Sequence, residues 1–319
     1  MQSTTRETIE KTILENYIEY QFLFVEFQSK FLTGLNVRYQ GLDNANLVLC
    51  YAKQAHQDIL RERDNDFNFN ISYEKFWENH HKIKPRHRSI IKIAEDTLLP
   101  KETARRKILQ LINQKVLNKK NKNIGWLPSE QYKQNYNLFI NKEIEDVGRL
   151  ISFVCKKLNY SIAKEEVSKE IKEKFSFYWF HYLDIQLSYL KIWNRQFKDL
   201  ELVLILLQVT HLFTSKIKEK NLSNKNLFDD PSLLKDFISV SISATSISEV
   251  TSIPRATCVR KLETLVKLKI VSQDTISKRY YLIPTITAGH LISREIAGKI
   301  VRLFSEFFFI FIKTMNLKI

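Results

Sequence analysis

From Pro100 onward, the apolar residues Ala104, Ile108, Leu111 and Ile112 fall at i, i+4, i+7 and i+8. That spacing is one stripe on a helix whose other faces meet water. The same stripe recurs at Cys258, Leu262, Leu265 and Val266, behind Pro254. Helices over about 100–114 and 254–268 follow, each with proline in the first turn, where a missing amide costs nothing. Segments 116–128, with the turn in NKKNKN, and 270–284 read as strand–turn–strand. Elsewhere the pattern is helical: 5–32, 44–63, 73–80, 87–96 and 133–157 in the first half, 164–196, 199–217, 232–237, 242–250 and 289–315 in the second. Polar stretches 64–70 and 220–231 read as loops. Only six Gly and six Pro fit a mainly α chain with small β-hairpins.

The two striped helices belong to a longer duplication. Residues 93–117 read IAEDTLLPKETARRKILQLINQKVL, and residues 247–271 read ISEVTSIPRATCVRKLETLVKLKIV. Nine of the 25 positions are identical without a gap, among them Thr97/Thr251, Pro100/Pro254, Thr103/Thr257 and Arg106/Arg260. Chance would supply about one or two, so the repeat implies a tandem duplication. The expected division is 1–160 and 161–319, with the boundary near Tyr160 and the halves packed pseudo-symmetrically through their N- and C-terminal helices.

Lys101, Thr103, Arg105, Arg106 and Lys107 lie off the first stripe, and Arg255, Thr257, Arg260 and Lys261 mirror them. A helix that reads DNA needs this layout: an apolar back, and donors near its N-terminus for base edges and phosphates. Arginine can grip a guanine edge with two parallel bonds. The hairpins add Lys119, Lys120 and Lys122 in the first copy and Lys278 and Arg279 in the second, placed to reach phosphates. KIKPRHRSIIK, with Lys84, Arg86 and Arg88, precedes the first motif, whereas its counterpart SVSISATSISE is nearly uncharged. The first copy is therefore expected to supply more of the phosphate-driven affinity. Val259 stands where the first copy has Arg105 and offers a methyl surface to thymine.

A formal charge of +15 agrees with a polyanionic partner. Cys50, Cys155 and Cys258 are scattered, which points to a reducing cytoplasm and no zinc site. The polar start MQSTTRETIEKTILENY has no secretion pattern. The apolar runs 202–207 and 303–312 are too short to span a bilayer and read as buried faces, the phenylalanines of the latter packed against N-terminal helices. His80, His81 and His87 lack convergent partners and read as a basic loop rather than a metal site. The aromatic run Phe175, Phe177, Tyr178, Trp179, Phe180 and Tyr182 is where a small-molecule effector would bind, although such spacing is more often core. No phosphate loop, nucleophile elbow or paired-carboxylate site is visible, so no enzyme and no cofactor are expected.

The pattern I-x-E-x-T-x-[LI]-P-[KR]-x-T-x-x-R-K-[LI]-x-x-L followed by a hairpin resembles winged helix–turn–helix regulators. Two helices before it, helices after it, and RYYLIPTITAGHLI in the second copy are similar to the MarR family. The resemblance implies a transcription regulator that binds double-stranded DNA, one chain acting as a dimer, its two recognition helices in successive major grooves about 34 Å apart. A replication initiator with two winged helices and a sequence-independent nucleoid protein are the alternatives.

Overall fold

The computed structural model describes residues 4–83, 86, 88–121, 123–219, 240–283 and 294–317. The chain runs α1 (Arg6–Glu15), α2 (Tyr17–Tyr39), α3 (Leu42–Asn65), α4 (Phe76–Lys82), α5 (Ile90–Thr97), α6 (Lys101–Asn113), β1 (Asn118–Lys120), β2 (Asn123–Gly125) and α7 (Glu130–Lys157). It continues α8 (Lys164–Glu173), α9 (Phe175–Phe197), α10 (Leu200–Glu219), α11 (Ala244–Thr251), α12 (Arg255–Lys267), β3 (Val271–Gln273), β4 (Tyr280–Leu282) and α13 (Arg294–Met315). It is mainly helical with two antiparallel two-stranded sheets. The loop and helix expected at 220–237, and the start of the last helix, lie outside the described residues.

Two long helices read as continuous are broken. Asn16 departs from helical geometry (φ −113°, ψ 32°), and its side-chain amide donates to the Thr12 carbonyl at 2.9 Å, competing with the backbone ladder. Lys174 interrupts the second at φ −113°, ψ 42°. Both breaks sit inside apolar periodicity that continues on either side, which is why spacing alone joins the helices.

The compact units do not follow the sequence halves 1–160 and 161–319. One comprises Met1–Gly41 with Gln196–Arg302, the other Leu42–Arg195 with Leu303–Ile319. Each therefore combines a helix-and-hairpin segment from one half with a long N-terminal helix from the other.

In the first unit, α2 buries Tyr20, Phe24, Phe27, Phe31 and Leu35, a stripe at helical spacing. It packs on α10, whose Leu202, Val203, Leu204, Ile205, Leu206 and Leu207 are all buried, as a helix enclosed on every side requires. Ile242 extends the second hairpin by a bridge to Tyr280.

In the second unit, α9 supplies Phe175, Tyr178, Trp179 and Tyr182, all buried. Tyr178 meets Phe311 at 5.2 Å and Tyr182 meets Phe307 at 6.1 Å, so phenylalanines of the C-terminal run pack on this helix. His56 is fully buried between Phe76 and Phe175, at 4.5 and 5.1 Å. Trp77, Trp126 and Tyr136 complete an aromatic layer under the first hairpin. Among the described residues no helix is long and apolar enough to cross a membrane.

Candidate nucleic-acid interface

The repeated segment folds the same way in each unit. Ser89 caps α5 by accepting from the Lys92 amide at 3.2 Å, and Ser243 caps α11 by accepting from the Ser246 amide at 3.0 Å. Thr97 Oγ1 donates to the Ile93 carbonyl at 2.8 Å; Thr251 Oγ1 donates to the Ile247 carbonyl at 2.7 Å. The next residue is left-handed in both, Leu98 at φ 57° and Ser252 at φ 59°. The prolines that follow are extended, Pro100 at φ −56°, ψ 138° and Pro254 at φ −53°, ψ 137°. They occupy the position just before the first helical turn, one residue earlier than their sequence context suggests. Two short helices joined by a tight turn result.

α6 and α12 each span 13 residues and dock through the expected stripes: Ala104, Ile108 and Leu111, and Cys258, Leu262 and Leu265, are at most 1% exposed. Both end in a left-handed lysine, Lys115 and Lys269, at φ 58°. Val116 N–H then donates to the Leu111 carbonyl at 3.0 Å, and Ile270 N–H to Leu265 at 3.1 Å. This closure satisfies terminal carbonyls and aims the chain into the hairpin. The first hairpin pairs Lys119 with Ile124 and Lys120 with Asn123; the second pairs Ser272 with Tyr281 and Gln273 with Tyr280.

On α6, Lys101, Arg105 and Arg106 are exposed and Thr103 is half-buried. Arg105 leans on Glu102 at 2.9 Å. On α12, Arg255 and Arg260 are exposed, Thr257 and Val259 are half-buried, and Arg255 Nε donates to Thr245 Oγ1 at 3.1 Å. Lys119 and Lys120 on the first hairpin, and Lys278 and Arg279 on the second, are exposed. Each unit thus brings together a basic helix face and a basic hairpin. Lys84 and Lys122 lie outside the described residues.

Three expected contacts turn inward. Lys261 is 7% exposed and tied to Asp199 at 2.5 Å and Glu201 at 3.1 Å, at the start of α10. Lys107 does the same at the start of α3, 3.5 Å from both Asp43 and Asn44. Arg88 pairs with Asp96 and donates to the Cys50 carbonyl at 3.2 Å. These are internal ties, because a low-exposure cation already facing carboxylates or a carbonyl has little to offer a phosphate. Described cations of the basic run before α5 also have acidic neighbours, while Lys82, Arg86 and Lys92 stay exposed. Lys82 faces Glu78 at 2.8 Å, Arg86 faces Asp58 at 3.8 Å, and Lys92 stands 3.6 Å from Asp96.

Sequence reading missed Ile276, 91% exposed at the tip of the second hairpin. Asp274 orders that tip by accepting hydrogen bonds from Ser277, first from its hydroxyl and then from its amide at 2.8 Å, and these bonds hold the Asp274 carboxyl below the usual range. The D-x-x-S spacing was the available signal.

The other candidates are accounted for by packing. Phe175, Tyr178, Trp179 and Tyr182 are core, whereas Phe177 and Phe180 of the same run are half-buried. His80 is buried with Nε2 2.6 Å from the Trp126 carbonyl, and burial pushes its pKa down to about 4. His81 contacts Lys133, and His87 lies outside the described residues. Among the described residues no group of three or more His, Cys, Asp or Glu could hold a metal. All three cysteines are buried, and burial pushes the Cys50 thiol up to about 12, an unreactive form. Compared with protein-family models, curated proteins and solved structures, the chain gives no match.

Proposed function

We propose that this chain is a sequence-specific, double-stranded-DNA-binding transcription regulator built from two winged helix–turn–helix units, α5–α6–β1–β2 and α11–α12–β3–β4. One observation carries the reading. The same turn, the same proline entry and the same 13-residue helix are built twice, each time leaving basic residues exposed near the helix start and on the following hairpin. A helix of that length fits a major groove, and its first turns meet base edges. In this reading Arg106 and Arg260 contact bases. Lys101, Arg105 and Arg255 contact base edges or phosphates, and Thr103 and Thr257 phosphates. Lys119, Lys120, Lys278 and Arg279 hold the backbone beside the groove. Lys107, Lys261 and Arg88 have no part in the interface.

Arg106→Ala and Arg260→Ala should each weaken binding to the preferred duplex by about 1–3 kcal/mol and relax base preference at the position read. Lys119→Ala should weaken binding to every duplex alike and lower the slope of log K against log salt by about one. Titration of labelled duplexes at several salt concentrations measures both. Site preference unchanged in the Arg106/Arg260 double variant would overturn the assigned roles.

A further inference from the structure

We infer that Asn36 and Asn194 are positioning residues for DNA reading, each locking the turn of a helix–turn–helix encoded in the opposite half of the chain. The inference rests on the DNA-reading proposal above and goes beyond it in saying what aims the reading helices.

The last carbonyl of a helix has no partner within the helix. In α5 and α11 that residue is Thr97 and Thr251, 1% and 0% exposed, so water cannot serve it. Asn194 Nδ2 donates to the Thr97 carbonyl at 3.1 Å, and Asn36 Nδ2 donates to the Thr251 carbonyl at 3.0 Å. Both asparagines are themselves buried, at 9% and 7%. The residue immediately after each bonded carbonyl is the left-handed Leu98 or Ser252, and two residues further begins the proline-led entry to α6 or α12. A bond at this point therefore sets the direction in which the reading helix leaves.

The two bonds are related by the duplication. α2 and α9 align at a shift of 158 positions (36 to 194), which also superposes Tyr20 on Tyr178, Gln28 on Gln186, Leu32 on Leu190 and Leu42 on Leu200. The same side chain at the same register makes the same bond twice, once within each compact unit. In both cases donor and acceptor come from opposite sequence halves: first-half Asn36 holds second-half Thr251, and second-half Asn194 holds first-half Thr97. The arrangement is not fully symmetric. Asn46 Nδ2 also reaches the Thr97 carbonyl, at 3.4 Å, whereas Leu204 stands at the equivalent place in α10. The second copy depends on its asparagine more than the first.

The test uses full-length protein with Asn36→Leu, Asn194→Leu, and Asn36→Gln, which keeps the amide but displaces it by one methylene. The probes are a duplex selected by the wild type from a random pool and a scrambled duplex of equal length, at one salt concentration. The readout is the ratio of the two affinities. Partial unfolding scales both affinities equally, so a purely structural role leaves the ratio untouched. Asn36→Leu should lower the ratio about tenfold, the scale of one misread base pair. Asn194→Leu should lower it less, and Asn36→Gln should lower it several-fold, which keeps the test available where the leucine variant does not fold. A ratio within twofold of wild type in every folded variant, with the wild type site-selective, overturns the asparagine assignment alone. A wild type that selects no duplex overturns the DNA-reading proposal itself.

Discussion

Lys261 holds two carboxylates, Asp199 and Glu201, while its own side chain is almost out of solvent. Removing the cation leaves both acids facing each other, and the burial of the site makes that more costly than losing a surface pair. Lys261→Met should therefore destabilise the protein by about 2 kcal/mol, less than for a fully buried pair because the acids keep some contact with water. Denaturant titration measures that loss, and the duplex affinity of the folded variant should equal that of wild type. A weakened duplex affinity at full folding would return Lys261 to the interface. Position 261 lies off the apolar stripe like Arg260, and nothing local distinguishes them. What separates them is an acidic helix start more than 60 positions earlier in the chain, which a single helix's periodicity does not encode. Histidines give a second residue-scale prediction. Burial lowers the pKa of His56 well below its usual value and that of His80 to about 4. The folded state thus binds fewer protons than the unfolded state between about pH 6.5 and 4, so stability is fully present above pH 6.5 and falls as pH drops through that window. For His80 alone the shift amounts to about 3 kcal/mol. His80→Gln should flatten the acid limb of a stability–pH curve, and an unchanged limb would show that other groups control it.

At the scale of elements, the repeated pair of short helices was the most legible part of the chain. Its apolar stripe is a local signal that the fold obeys, and its proline marks the helix start to within one residue, whereas the capping serines Ser89 and Ser243 were not read from the sequence. The left-handed lysines stand where glycine is the usual residue. Lys115 and Lys269 at φ 58° pay a conformational cost that glycine would not. Lys115→Gly should accordingly raise stability by about 1 kcal/mol, read as a higher Tm, and a fall in Tm would mean that the lysine side chain contributes more than its backbone costs. The helix breaks at Asn16 and Lys174 escaped the sequence reading because neither residue forbids a helix. Asn16 breaks one through a side-chain bond to Thr12 that competes with the ladder, which no hydrophobic count detects.

On the scale of the whole molecule, duplication was visible and the exchange of helices was not. Two copies present two nearly equivalent long helices, α2 and α9, and apolar patterning does not say which copy each helix completes. Packing decides it: α2 lies on α10, and α9 joins the unit of α5 and α6. The basic residues of the repeated helices and hairpins were legible as charge, but their division into exposed side chains and internal ties required the fold. The central claim is that both repeated helices read DNA. Protection of genomic fragments from hydroxyl-radical cleavage, with wild type, Arg106→Ala and Arg260→Ala side by side, tests it most directly. Discrete wild-type footprints are expected, with each variant losing protection over a different part of the same site. Uniform protection along all fragments, or footprints identical in all three proteins, would contradict it.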